Sequence, residues 1–258
     1  MPFDPLEIVT VPCLSDNYAF LVHDRRSGQT ALVDVPDAAP ILQVLSARGW
    51  SLNAVWLTHH HPDHVQGLKE IQGVYSVEVV GAAADAHRLP PLTHEVREED
   101  KFVFANRDVE VIEVPGHTVG HIAFHIPDEE AVFTADSLMA LGCGRLFEGS
   151  PVQMWDSLQK LMALPPQTTI FSGHEYTASN GKFALTIDPD NPDLISRREA
   201  IATARAADEA TVPSTLALEM ATNPFLRVAD RDIRARLGMT DAADVEVFAE
   251  IRARKDAF

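Results

Sequence analysis

Cysteine is nearly absent: Cys13 and Cys143 are the only two among 258 residues, too few for a disulfide framework. No apolar run approaches the roughly 20 residues that a membrane-spanning helix needs, so none is expected. The opening Met1-Pro2-Phe3-Asp4-Pro5 has neither a basic stretch nor an apolar one and does not read as a secretory signal. Reduced thiols in a cytoplasm follow as the expectation. Positive charge is scarce too, with 21 Lys and Arg against 38 Asp and Glu and a net charge of −17. Such a chain is a poor partner for nucleic acid, whose phosphates need a basic face. Any local group of Arg and Lys is therefore informative, because it stands against the general trend.

What is present is ordinary for a globular chain, with 46% hydrophobic and 23% charged residues. Short apolar runs separated by turns predict strands over 6–11, 18–22, 30–35, 53–58, 77–80, 101–104, 108–114, 122–126, 131–134 and 168–171. Asp37 is placed to cap a helix that runs to Arg48 and stops at Gly49. Residues 151–163 set Trp155, Leu158 and Met162 on one helical face. Beyond about residue 175 the texture becomes helical, with an Asn191-Pro192 start signal and helices expected over 196–210, 231–237 and 243–255. A boundary is expected near 172–176, dividing a mixed α/β domain from a small helical one.

Histidine supplies the chemistry. Thr58-His59-His60-His61-Pro62-Asp63-His64 follows an apolar strand and spells H-x-H-x-D-H. Residues two apart in extended chain face the same way, so His59 and His61 can chelate one ion. Pro62 favours a turn that redirects Asp63 and His64 toward a second. Imidazole and carboxylate donors suit zinc, and equally iron or manganese. His117, Asp136 and His174 each follow a further predicted strand, where α/β sheets build their sites. His60 and His121 fall outside the pattern and are either supporting or surface residues. His23, His87, His94 and His125 carry no functional assignment.

H-x-H-x-D-H, then Pro115-Gly116-His117-Thr118-Val119-Gly120-His121, then Thr134-Ala135-Asp136, then Gly173-His174-Glu175, resembles the metallo-β-lactamase superfamily. Within it the chain is similar to the glyoxalase II (hydroxyacylglutathione hydrolase) family, through Leu14-Ser15-Asp16-Asn17-Tyr18, the stretch 141–149, Thr222-Asn223-Pro224-Phe225-Leu226-Arg227 and the final Arg252 to Phe258. The resemblance implies an α+β fold, a four-layer αββα sandwich over 1–174 followed by a C-terminal helical, substrate-binding domain over 175–258. It implies two divalent ions per chain, zinc foremost. His59, His61 and His117 would hold one ion and Asp63, His64 and His174 the other. Asp136 would be shared, with a bridging water or hydroxide that Asp63 could help orient. The implied substrate is a glutathione thioester, and the implied state is a monomer.

The same resemblance assigns Arg145, Phe147, Tyr176, Arg252 and Lys255 to the glutathione moiety. Phe147 departs from the family's frequent tyrosine and lacks its hydroxyl; Arg145 stands where lysine is frequent and keeps the charge. Arg252 and Lys255 share a helix face by their i, i+3 spacing, and a solvated helix end is their plainer reading. Cys143 has no partner base in the pattern and is assigned to packing. The competing activities on such a site are a lactonase and a glutathione persulfide dioxygenase that uses one iron. A nuclease is disfavoured by the acidic balance.

Overall fold

The computed structural model describes residues 4–258. Its elements in chain order are β1 (Glu7–Cys13), β2 (Asn17–His23), β3 (Thr30–Val33), α1 (Ala38–Arg48), β4 (Ala54–Trp56), α2 (Pro62–Val65), α3 (Leu68–Gln72), β5 (Glu78–Ala82), β6 (His94–Val96), β7 (Lys101–Phe104), β8 (Arg107–Glu113), β9 (Ile122–Ile126), β10 (Ala131–Ala135), β11 (Leu138–Met139), β12 (Gly142–Cys143), α4 (Pro151–Met162), β13 (Thr169–Ser172), α5 (Thr177–Ile187), α6 (Pro192–Ala206), β14 (Ser214–Thr215), α7 (Leu216–Thr222), α8 (Arg231–Leu237) and α9 (Asp244–Ala257). The chain divides into two compact units, the first running to Glu113 and resuming over Gly120–Phe133, the second comprising Val114–Val119 and Thr134–Phe258.

In the first unit a six-stranded sheet runs β1-β2-β3-β4-β5-β6. β1, β2 and β3 pair antiparallel, with Val9 opposite Leu21 and Leu21 opposite Leu32; from β3 onward the pairing is parallel, with Leu32 beside Val55 and Val55 beside Val79. Parallel strands are covered on both faces, which is why 30–33 and 54–56 read as unbroken apolar runs rather than alternating ones. Helix α1 begins where Asp37 accepts a bond from the amide of Ala39 and ends at Gly49, whose φ of 66° suits a residue without a side chain. Its Ile41 and Leu45 are fully buried beside Leu21, Leu32, Val55 and Leu57. Full burial of each such side chain contributes about 1.5–3 kcal/mol relative to exposure. β7 to β10 form an antiparallel meander in which Val111 faces Phe124 and Phe124 faces Phe133. Trp56, fully buried, meets Phe102 and Phe104 edge-on at 5.4 and 5.3 Å.

In the second unit α4 starts with a reciprocal cap between Ser150 and Gln153 and buries Trp155 and Leu158. Asn191 caps α6 through the amides of Asp193 and Leu194, with Pro192 in the first turn, as its sequence predicts. The helix runs from 192 to 206 rather than 196 to 210. Leu141, Ala184, Leu194 and Ile201 form one apolar cluster, and Trp155 lies 6.0 Å from Phe248 of α9. Helices α2, α3, α5 and α7 and the strands β6, β11, β12 and β14 were not predicted. α5 carries Thr177, Ser179, Asn180 and Gly181, weak helix formers held by the packing of Phe183, Ala184 and Ile187. No helix among the described residues is long and apolar enough to cross a membrane.

Candidate metal centre

The donors lie on segments that follow strands, Asp63 and His64 in the short helix α2. In the first unit β3 gives way to Asp34, held at a φ of +57°. Its Oδ1 accepts the amide of Thr58 at 2.9 Å and its Oδ2 accepts the Thr58 hydroxyl at 2.8 Å, pinning the chain as it leaves β4. The same Oδ2 lies 2.8 Å from Nδ1 of His64. A carboxylate there favours the proton on Nδ1, so that Nε2 is the nitrogen that could meet an ion. Asp34, His59 and His64 bring donor atoms within 4.8 Å of one another. His59 and His64 are fully buried.

His59 Nε2 and His61 Nδ1 are 3.2 Å apart. Two nitrogens bound tetrahedrally at about 2.0–2.1 Å from zinc are separated by roughly 3.3 Å. Asp63 follows in α2, where Asn17 donates its amide to both the carboxylate and the main-chain oxygen, each at 3.1 Å. Asn17 belongs to the Asp16-Asn17-Tyr18 segment noted in the sequence, but its role there was not legible. Of the two undecided histidines, His60 lies inside the loop and His121 directly before β9. His60 Nδ1 is 3.0 Å from Asp85, which also accepts Nε of Arg88. His121 is fully buried and stacks on His59 at 4.6 Å. Gly120 precedes it because a Cβ there would come within 2.2 Å of Cγ of Asp85.

In the second unit, His117 Nδ1 lies 2.8 Å from the carbonyl of Arg145, again leaving Nε2 for a ligand role. Asp136 leaves β10 after Ala135, whose φ of +40° turns the backbone sharply. One oxygen of Asp136, Oδ2, lies 3.5 Å from His117 Nε2 and 3.3 Å from His174 Nε2. Gly173, just before His174, donates its amide to the carbonyl of Ala135 at 3.0 Å, tying the two strand ends together. Gly144 permits the close approach of the next segment, since a Cβ would sit 1.9 Å from the carbonyl oxygen of Asp136.

The remaining sequence-predicted residues gather in the second unit. Tyr176 stacks on His174 at 4.7 Å and Phe147 meets His117 edge-on at 5.3 Å. Arg145 lies 3.5 Å from Asp256 and carries its guanidinium 6.0 Å from the Phe147 ring. Arg252 is not a solvated helix end: it is 6% exposed, donates to the carbonyl of Cys143 at 2.9 Å and to Asp256 at 2.9 Å, and faces the Phe225 ring. Its partner Lys255 is half-buried between Phe183 and Phe258, at 5.3 and 5.2 Å. Burial, then the charge of Arg252, pulls the Lys255 ammonium below its usual range. Burial pushes the Cys143 thiol up to about 11, so at neutral pH it is a packing group and not a nucleophile. Asp34, Asn17, Asp85 and Asp256 are the site residues that the sequence did not single out. Asp34 had a signal, an acidic residue directly after a buried strand; Asn17 and Asp256 stood only inside segments noted for resemblance, and Asp85 had none.

Residues 15–174 match the metallo-beta-lactamase superfamily and residues 175–258 match the hydroxyacylglutathione hydrolase C-terminus. A solved structure titled TTHA1623 in a di-iron-bound form is 27% identical, with a TM-score of 0.60 over 85% of this chain and 100% of that one. The chain thus belongs to the metallo-β-lactamase superfamily: its α+β fold is the superfamily's, and its His and Asp groups are positioned to hold metal. Proteins named hydroxyacylglutathione hydrolase from Roseobacter denitrificans and Ruegeria pomeroyi are 67% and 64% identical over 98% of this chain and 100% of each relative. Within the superfamily the chain belongs to the hydroxyacylglutathione hydrolase family, and it is a hydrolase.

Proposed function

We propose that this chain hydrolyses S-(2-hydroxyacyl)glutathione thioesters, S-D-lactoylglutathione foremost, to glutathione and D-lactate, a step of methylglyoxal detoxification. The observation that carries the reading is the single Asp136 oxygen within 3.5 Å of two imidazoles, the arrangement a shared metal ligand needs. It is supported by full-length relatives that carry the hydrolase name and by the matching C-terminal region. The reading includes a monomeric cytoplasmic enzyme, with residues 1–174 catalytic and 175–258 binding substrate.

In this reading His59, His61 and His117 hold one ion, Asp63, His64 and His174 a second, and Asp136 both. The donor set fits: His64 and His117 have Nδ1 committed to Asp34 and to a carbonyl, so Nε2 is the available donor. Zinc is the preferred metal and iron or manganese suit the same donors. A pair of such cations acidifies water and offers a sink for carbonyl charge. Asn17 steadies Asp63, whose carboxylate would help orient the attacking water. Phe147 and Tyr176 stand as exposed walls beside His117 and His174, while Arg145 and Lys255 supply positive charge for the substrate's carboxylates. Arg252, inward-facing, contributes by holding Cys143 and Asp256. The departing thiolate is a good leaving group, so no strong general acid is required.

The test sets S-D-lactoylglutathione against a simple lactone with metal-replete protein. The thioester is expected to be turned over far faster; the opposite preference would remove the reading.

A further inference from the structure

Glu219 of α7 is fully buried, and a buried carboxylate persists only when its lone pairs are taken up. On one oxygen it accepts Arg197 and the hydroxyl of Ser214, the latter at 2.6 Å. On the other it accepts the main-chain amide of Leu141 at 2.8 Å and Nδ2 of Asn223 at 3.2 Å. Asn223 Nδ2 also faces the carbonyls of Gly142 at 2.9 Å and Met139 at 3.2 Å. The carbonyl of Ala140, between them, accepts Asn180 at 3.0 Å. The tip of the β11–β12 hairpin is therefore held almost wholly by side chains from helical segments. It needs them: Leu141 has a φ of +57°, a conformation costly to a residue with a side chain.

This hairpin is the short connection between Asp136 and Arg145. Ser137 and Gly144 close its base through a 3.0 Å bond, and Gly144 lies against the carbonyl of Asp136. A shift at the tip is passed to both ends because two-residue strands have little rigidity of their own. We propose that Glu219 is a positioning residue: acting through Leu141 and Asn223 it sets the hairpin and, with it, the Asp136 carboxylate and the Arg145 side chain. The inference rests on the reading of Asp136 as a metal ligand. It assigns to α7 a part in shaping the reactive end of the site as well as in folding.

The experiment compares Glu219→Gln with Ser214→Ala in protein loaded with Co(II), whose visible absorption bands report ligand geometry, and in the zinc-loaded enzyme. Gln places a donor where the carboxylate only accepts, so one branch of the network must break. Folded E219Q is expected to show altered Co(II) bands and kcat/KM on S-D-lactoylglutathione reduced about tenfold or more, because small misplacements of reacting groups are costly. S214A, which removes a donor on the oxygen remote from the hairpin, is expected to lower Tm while keeping the bands and holding kcat/KM within about twofold. A folded E219Q with wild-type bands and wild-type kcat/KM overturns the proposal and leaves Glu219 a purely structural residue. If E219Q does not fold, Asn223→Ala, which keeps the Arg197–Glu219 pair and the Leu141–Glu219 bond but cuts the two bonds to the Met139 and Gly142 carbonyls, is judged by the same two outcomes. If the wild-type protein fails to hydrolyse the thioester, the functional reading falls, while the Co(II) comparison still decides the role of Glu219.

Discussion

His59 Nε2 and His61 Nδ1 converge to 3.2 Å through opposite edges of their rings. His61 is still extended, with a ψ of 141°, and Pro62 then opens α2. Reconstituted protein is expected to hold about two ions per chain, since the donors proposed here are too many for one tetrahedral ion. His61→Ala should lower that number and Asp136→Ala should abolish nearly all activity. Elemental analysis with a firm plateau at one ion in the wild type would reject the dinuclear centre.

Asp34 stands outside the proposed ligand set, yet it governs two neighbours of the loop. Asp34→Asn replaces one acceptor oxygen with a donor, against the Thr58 amide or against His64 Nδ1. Loss of such a carboxylate behind a ligating histidine typically costs about 10- to 100-fold in metal affinity or activity. Titration with a chromogenic chelator checks this. His60→Ala, which cuts a bond to Asp85 instead, should be much milder; equal losses would show that Asp34 has no special hold on the ligand.

Arg252 and Lys255 separate into different roles. Arg252→Ala removes bonds from a buried charged group, each worth about 1.5–3 kcal/mol, and should lower Tm as well as raise KM. Lys255→Ala should raise KM on a glutathione thioester several-fold with kcat, Tm and metal content little changed, as expected for contact to a remote part of the substrate. Added salt should narrow the Lys255 difference. If Lys255→Ala left KM unchanged, α9 would not read the substrate's charge.

His23 tests the fold's response to acid. It is buried, stacked on Trp50 at 4.0 Å and hydrogen-bonded to Thr30 at 2.9 Å. Desolvation depresses its pKa, partly countered by Glu7 and Asp24. The folded chain therefore resists a proton that the unfolded chain accepts near pH 6.5, about the ordinary histidine value. Its contribution is whole above that pH and is lost as pH falls below it. His23→Phe, which keeps a ring against Trp50, should show a shallower fall of Tm on acidification; parallel curves would exclude His23 as a source of acid sensitivity.

Most strands and the helix from Asp37 to Gly49 were legible because burial on both faces and explicit caps leave strong local patterns. The histidine loop was legible for a like reason: its donors are adjacent in sequence. What joined them was not. Asp34 lies far from His64 along the chain, and Asn17 from Asp63, so nothing local announces either pair. α5 stayed hidden because Thr177, Ser179, Asn180 and Gly181 favour helix weakly and are held by tertiary burial, and α7 because its seven residues, though good helix formers, are too few to show a period. Arg252 misled because its spacing with Lys255 fixes a face but not whether that face is wet.

The surroundings of the three tryptophans have a spectroscopic consequence. Trp50 lies flat against His23, Trp56 is sealed among phenylalanines, and Trp155 touches Phe248 of α9. Protonation of a stacked imidazole quenches indole emission, whereas Trp56 has no titrating neighbour among its ring contacts. With no other indole in the chain, single-tryptophan variants would give the acid-sensitive strand, the interior of the first unit and the docking of the last helix three separate optical signals.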